Sequence, residues 1–353
     1  MTTREQRKND HIKYALDLHS SAESAGFSDV HIMPNCLPEI DSNTVDLTTD
    51  IGAIKLRQPL IINAITGGTP LAGTINGELA LVARATGCAM AVGSQFGTVH
   101  AGGDDSSFRI VRQNNPDGVV LANVSAKATV KEALKAVDML EAQGLQIHLN
   151  PAQELAMAEG DRDFTGYLKN IEKIVQTSSV PVIIKETSCG IAYAQARALL
   201  AVGVNVIDVG GLGGTNFPLI EQQRQGIKLR NELAQWGLPT VLSLLEVKRA
   251  MGGSGTIIAA GGLRTGLECF KSLALGSQAC AMAGNILSIL QTQGSDALIK
   301  YLNSVLLSIR NYLVLTNCLR IKDALRIPLY FTGMTKDALE SLGYDLIKLG
   351  RGR

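Results

Sequence analysis

Four groups of residues in this chain have types and spacings that suit chemistry. Two are glycine-rich: Asp208-Val-Gly-Gly-Leu-Gly-Gly-Thr215-Asn216-Phe217 and Ala259-Ala-Gly-Gly-Leu-Arg264-Thr265-Gly266. Each follows a short β-branched run, and a helix-like segment follows the second. Glycines let a backbone approach a ligand closely, and the N–H groups at a helix start favour an anion, so the pair reads as a phosphate cradle. The third group, His148, Asn150, Gln153 and Glu154, crowds the end of one apolar run. His148 alone reads equally as a satisfied core histidine. Glu154 alone reads as a helix cap, but among these neighbours as the single carboxylate that would hold Mg²⁺ against substrate phosphate oxygens. The fourth, Arg7, Lys8 and His11, lies near the chain start, with Arg7 and His11 on one helix face. On its own it reads as a solvated helix; the competing reading is a cationic clamp on a phosphate.

Lys185 ends the otherwise apolar run Pro181-Val-Ile-Ile-Lys185. It can snorkel out of the fold, serve as a Schiff-base amine, or supply a fixed positive charge to a bound anion. With two phosphate edges downstream the last is preferred, the anion being the reduced N1 position of a flavin mononucleotide. Asp104 and Asp105, flanked by glycines and Ser106, read as a solvated loop.

These residues need a scaffold that brings strand ends together. Apolar runs begin at Pro59, Cys88, Gly118, Leu145, Pro181, Val204, Thr256 and Ala279, with helical segments such as residues 130–140 and 192–200 between them. Runs apolar on both faces, alternating with helices, imply an α/β fold, a closed (β/α)₈ TIM barrel. No G-x-G-x-x-G follows the first strand, which weakens an open doubly wound sheet. Polar residues replace apolar ones at nearly every strand exit, where such barrels carry their sites. A further run, residues 239–244, is assigned to the connection before a helix at 245–251. Residues 1–58 read as an N-terminal extension covering the barrel mouth and 59–353 as the barrel with C-terminal helices, one domain overall.

Composition narrows the function classes. The formal charge is +1 with no basic tract, which argues against nucleic acid or an anionic membrane as partner. No apolar stretch approaches a membrane helix. The start Met1-Thr-Thr-Arg-Glu-Gln-Arg-Lys8 is too polar for a signal peptide, and the six cysteines are scattered without C-x-x-C. A cytoplasmic globular protein is expected.

The chain resembles the type II, FMN-dependent isopentenyl diphosphate isomerases over nearly its whole length. The resemblance rests on Gln6-Arg-Lys-Asn-Asp-His-Ile12, Ile61-Ile-Asn-Ala-Ile-Thr-Gly-Gly68, Ala91-Val-Gly-Ser-Gln95, Gln146-Ile-His-Leu-Asn-Pro-Ala-Gln-Glu154, Val182-Ile-Ile-Lys-Glu186, Gly213-Gly-Thr-Asn-Phe217 and Gly261-Gly-Leu-Arg-Thr265. It implies interconversion of isopentenyl and dimethylallyl diphosphate in isoprenoid biosynthesis, with FMN, Mg²⁺ and NADPH as flavin reductant, in a homotetramer or homo-octamer. FMN contacts carry over to Ala64, Ile65, Thr66, Gly67, Ser94, Asn123, Lys185, Thr215, Gly261, Gly262, Leu263, Arg264, Ala283 and Gly284. Substrate contacts carry over to Arg7, Lys8, Ser94, Gln95, His148, Asn150 and Gln153, catalytic roles to Gln153 and His148, and the metal ligand to Glu154. Three positions depart from the family pattern: Ile65 for methionine, Phe96 where arginine is usual, and Cys189 in a segment commonly apolar. Rival chemistries fare worse. A 2-hydroxy acid oxidase needs a histidine, and an inosinate-type dehydrogenase a cysteine, in the loop after the sixth strand, and residues 209–214 hold neither. A Schiff-base aldolase would work through Lys185. A non-catalytic flavin- or phosphate-binding barrel would leave the basic N-terminus and the His148–Glu154 cluster without a purpose.

Overall fold

The computed structural model describes residues 3–18, 24–226 and 232–351; Met1 and Thr2 of the polar start lie outside them. Eight parallel strands close into a barrel: β1 (Leu60–Ile62), β2 (Ala89–Ala91), β3 (Val120–Ser125), β4 (Gly144–Leu149), β5 (Val182–Glu186), β6 (Val206–Asp208), β7 (Thr256–Ala260) and β8 (Ala279–Met282), with β8 paired back onto β1. Strand residues divide by period two. Ile61, Ala89, Ala91, Leu121, Ile183, Val206, Ile258, Ala260, Ala279 and Ala281 pack together inside the barrel. Their neighbours, among them Ile62, Met90, Ile184 and Ile207, pack outward against the helices. Burial on both faces is why the strands read as unbroken apolar runs.

The same period dictates what stands above the inner apolar layer. Two residues beyond Ile61, Leu121, Gly144, Ile183 and Val206 come Asn63, Asn123, Gln146, Lys185 and Asp208, all buried. Strand register sets them in a lateral row, pairing Asn123 with Gln146, His148 with Lys185, and Lys185 with Asp208. A polar layer therefore floors the mouth.

The N-terminal segment serves both barrel ends. Its helix Thr3–Asp17 buries Ile12 and packs beside the helices Phe217–Arg224 and Gly284–Gln293 at the mouth. Its hairpin, Thr49–Ile51 with Ile54–Leu56, closes the opposite end. There Ile51, Ile54 and Leu56 join the inner core, and Gly52 N–H donates to Thr256 Oγ1 at 3.1 Å. The strand Val30–Ile32 pairs antiparallel with Leu329–Phe331, tying this segment to the C-terminal region. The expectation that residues 1–58 cover the mouth thus describes only the helix.

Residues 239–244 differ from expectation too. The helix extends over Thr240–Met251, so the run is its first turn and not a connection. Val241, Leu244, Leu245 and Val247 are all buried, and a helix apolar on most of its faces loses the periodicity that separates it from a strand.

Candidate active site

Two adjoining open cavities, about 1190 and 1300 Å³, occupy the mouth at the strands' C-terminal ends. The first is lined by Thr215, Gly261, Gly262, Leu263, Arg264, Ala283 and Gly284. The second is lined by Arg7, Lys8, Thr66, Gly67, Ser94, Asn123, His148, Asn150, Gln153 and Glu154. Both share His11, Ala64, Ile65, Lys185, Thr187 and Phe217. One expected residue is not brought in. Gln95 is fully buried, its Nε2 donating to the Ala136 carbonyl at 3.0 Å and its Oε1 accepting from Asn123 N–H at 2.9 Å. It braces the backbone of β3.

In the first cavity the glycines act differently from what their spacing suggested. A Cβ on Gly262 (φ +77°) would sit 2.3 Å from Gly213 O, and one on Gly261 2.2 Å from Gly211 O. They are required because two loops stack backbone to backbone. The helix after the second loop, Gly266–Leu275, already has part of its N-terminus satisfied by its own side chains. Thr265 and Glu268 form a capping box, and Glu268 Oε2 also accepts from Arg264 N–H at 2.7 Å. The open terminus is the next one. The helix Gly284–Gln293 starts at Ala283 with no side-chain cap, and Ala283 and Gly284 line the cavity, so its first N–H groups are left for a ligand there. This end and the stacked loops could together hold a phosphate.

Lys185 joins the two halves. It is 7% exposed and donates to the Glu186 carbonyl at 2.9 Å, so it does not snorkel. Asp208, one register step away, has its carboxyl pushed up by burial and pulled back by Lys185. His148 Nδ1 lies 2.9 Å from Asn123 Oδ1. Burial, then the Lys185 charge, lowers the imidazole to about 3, so the ring is neutral at pH 7.

In the second cavity Lys8 reaches down to donate to the Gly67 carbonyl, and its Nζ stands 5.7 Å from the Phe108 ring centroid. Arg7 lies 3.9 Å from Glu159. The N-terminal cations therefore sit over the mouth, not on a solvated helix. Gln153 is held on both sides: Nε2 donates to Glu221 at 3.2 Å and Oε1 accepts from Asn150 at 3.0 Å. Glu221, fully buried, also meets His11 at 2.7 Å and pairs with Arg224. Burial raises its carboxyl, but His11, Arg224 and Gln153 outweigh that and hold it below the ordinary range.

Glu154 accepts from Asn150 Nδ2 at 3.0 Å and Asp161 N–H at 2.9 Å, leaving lone pairs toward the cavity. Among the described residues no three His, Cys, Asp or Glu side chains gather as a metal cage. A single carboxylate fits Mg²⁺ that completes its shell with phosphate and water oxygens.

The departures from the family pattern now have physical readings. Phe96 lines the second cavity and stacks on His100, ring centroids 5.2 Å apart, so that wall is aromatic. Cys189 is buried, and burial raises its thiol to about 11, which disfavours the thiolate at neutral pH. Asp104 caps Ser106 in an exposed turn, as its glycine neighbours suggest.

Residues not foreseen are Glu221, Lys127 (which lines the second cavity and pairs with Asp161), Asn63, Gln146 and Asp208. The last three carried a readable signal, a polar residue two places after an inward apolar one. Glu221 and Lys127 carried none, because they enter from connecting segments.

Residues 105–327 match the model of the FMN-dependent dehydrogenase family. The isopentenyl-diphosphate delta-isomerase of Symbiobacterium thermophilum is 40% identical, covering 99% of this chain and 98% of its own. The enzyme of that name from Geobacillus sp. strain WCH70 is 42% identical over 97% and 98%. Among solved structures, a mandelate oxidase mutant carrying an FMN adduct superposes with a TM-score of 0.64 at 17% identity, covering 90% of this chain and 92% of that one. At that identity the likeness speaks for the fold alone.

Proposed function

The chain belongs to the isopentenyl-diphosphate delta-isomerase family and carries an FMN-dependent dehydrogenase domain, and from that premise we propose how its own residues perform the isomerisation. The reaction is a 1,3-proton shift between isopentenyl and dimethylallyl diphosphate: a proton joins the terminal alkene carbon, and another leaves two carbons away, with no net redox change. The observation that carries the reading is the shared wall. Ala64, Ile65 and Lys185 line both the phosphate-accepting half and the cation- and amide-lined half, so two ligands would meet there.

Thr215, the residues Gly261, Gly262, Leu263 and Arg264, and the open helix end at Ala283 and Gly284 would hold the FMN phosphate. Ala64, Ile65, Thr66, Gly67, Ser94 and Asn123 line the wall available to the flavin ring. Lys185 supplies a fixed positive charge beside it. When bound and reduced, FMN supplies an electron-rich face that can deliver a proton and stabilise developing positive charge. Arg7, Lys8, His148 and Asn150 bind the substrate diphosphate, with Glu154 holding Mg²⁺ against its oxygens. Gln153 orients the reacting carbons, because an amide clamped between Glu221 and Asn150 is fixed in position but is a poor acid by itself. Gln95 leaves the substrate set. NADPH as reductant, a cytoplasmic location and a homotetramer or homo-octamer complete the reading on family resemblance.

The test is anaerobic incubation of the purified protein with FMN, NADPH, Mg²⁺ and isopentenyl diphosphate. Dimethylallyl diphosphate is the expected product, and its absence would reject the proposal.

A further inference from the structure

Beneath the mouth an unbroken chain of side-chain amides connects His148 to Asp208. His148 Nδ1 lies 2.9 Å from Asn123 Oδ1; Asn123 Nδ2 donates to Gln146 Oε1 at 3.0 Å; Gln146 Nε2 donates to Asn63 Oδ1 at 2.9 Å; Asn63 Nδ2 donates to Asp208 Oδ2 at 2.8 Å. The three amides and Asp208 are buried, while His148 at the end of the chain is half-buried and meets the cavity.

The chain has one direction, and two backbone groups set it. Ala64 N–H donates to Asn63 Oδ1 at 2.9 Å, which fixes that amide's orientation. Gly210 N–H donates to Asp208 Oδ1 at 3.2 Å, so both oxygens of this carboxyl accept. Given those ends, Gln146 must turn its nitrogen to Asn63 and its oxygen to Asn123. Asn123 must then turn its own oxygen to His148. An oxygen there requires a proton on Nδ1.

We propose that Asn63, Gln146 and Asp208 act as positioning residues that lock neutral His148 in its Nδ1–H form. Nε2 is thereby left as a hydrogen-bond acceptor at the ring edge available to the cavity. A locked acceptor repels a bare phosphate oxygen and receives one that carries a proton, or a bound water. The inference deepens the substrate-binding role given to His148 above and rests on that reading only for this consequence.

The test is long-range ¹H–¹⁵N correlation spectroscopy of histidine-labelled, FMN-loaded full-length protein without substrate, the His148 signals being identified by their loss in His148→Asn. The expected result is a protonated Nδ1 and an unprotonated Nε2. The reverse pattern in the wild type overturns the proposal, and since it needs neither a variant nor turnover it is distinct from failure of the isomerase reading. Gln146→Met breaks the chain at its centre and frees Asn123 to turn over; at least a tenfold rise in the Nε2–H population is expected. Gln146→Glu keeps an acceptor toward Asn123 and should retain the wild-type pattern. A spectrum unchanged by Gln146→Met, with the wild type in the Nδ1–H form, would show that the chain does not set the tautomer.

Discussion

Replacing Glu221 by Gln removes one charge from a fully buried position where three partners converge. His11 and Arg224 each give this carboxylate a charge-assisted hydrogen bond, and Gln153 donates a third. A glutamine keeps one acceptor oxygen but turns an NH₂ group toward a former donor, either the guanidinium or the ring. Bonds to a charged group contribute about 1.5–3 kcal/mol and neutral ones about 0.5–1.5 kcal/mol. Weakening two of them therefore costs about 2–4 kcal/mol, near the range for breaking a buried ion pair. Urea denaturation of the FMN-loaded protein measures this as a lower midpoint at unchanged slope. The same change releases Gln153 from one side, so turnover should fall about tenfold to a hundredfold. FMN affinity should hold, because Glu221 does not line the phosphate half. A stability loss below about 0.5 kcal/mol together with wild-type turnover would refute the claim that Glu221 organises the N-terminal helix and Gln153 together.

Three further outcomes are expected. Gly262→Ala forces a Cβ to within 2.3 Å of Gly213 O at a positive φ, so the stacked loops must part and FMN affinity should drop at least about tenfold by fluorescence titration, left-handed strain alone costing about 1–2 kcal/mol; unchanged affinity would show the loops free to shift. Native protein should show one fast-reacting thiol, Cys36, which is exposed, while the buried Cys189, raised to about 11, resists alkylation; mass spectrometry finding Cys189 labelled first would contradict its buried, protonated state. His148 is lowered to about 3, so below about 6.5 the unfolded chain binds a proton that the native ring refuses, and stability falls with pH at up to about 1.4 kcal/mol per unit. Relative to His148→Asn the wild type should lose up to about 2 kcal/mol between pH 7 and pH 5 in urea titrations, and a constant difference would place the ring in solvent.

Much of the barrel is legible in the sequence because its strands are buried on both sides, which leaves unmistakable apolar runs such as Val182-Ile-Ile. Residues 239–244 mislead for the same reason, since a helix buried nearly all round has no polar stripe. The strand-exit residues Lys185, His148 and Thr215 are legible as a group, because a closed barrel carries every exit to one end. Weighed alone, the glycines point to the helix Gly266–Leu275 as the anion-facing start. Thr265 and Glu268, three residues apart, already mark that helix as self-capped, whereas Ala283 has no side chain with which to cap the next. Glu221 is illegible: its partners His11 and Gln153 lie 210 and 68 residues away, and only the packing of the N-terminal helix on Phe217–Arg224 makes them neighbours. The amide row needs both strand period and register, and register between parallel strands is set by the closed barrel, not by any local motif.

The central claim is that two ligands meet at the wall of Ala64, Ile65 and Lys185 to move protons without consuming reductant. The most direct measurement is the ratio of dimethylallyl diphosphate formed to NADPH oxidised, under anaerobic conditions with FMN, Mg²⁺ and excess isopentenyl diphosphate. Many product molecules per NADPH are expected, since the reductant serves only to reduce the flavin once. No product, or one NADPH oxidised for each product molecule, would contradict the account.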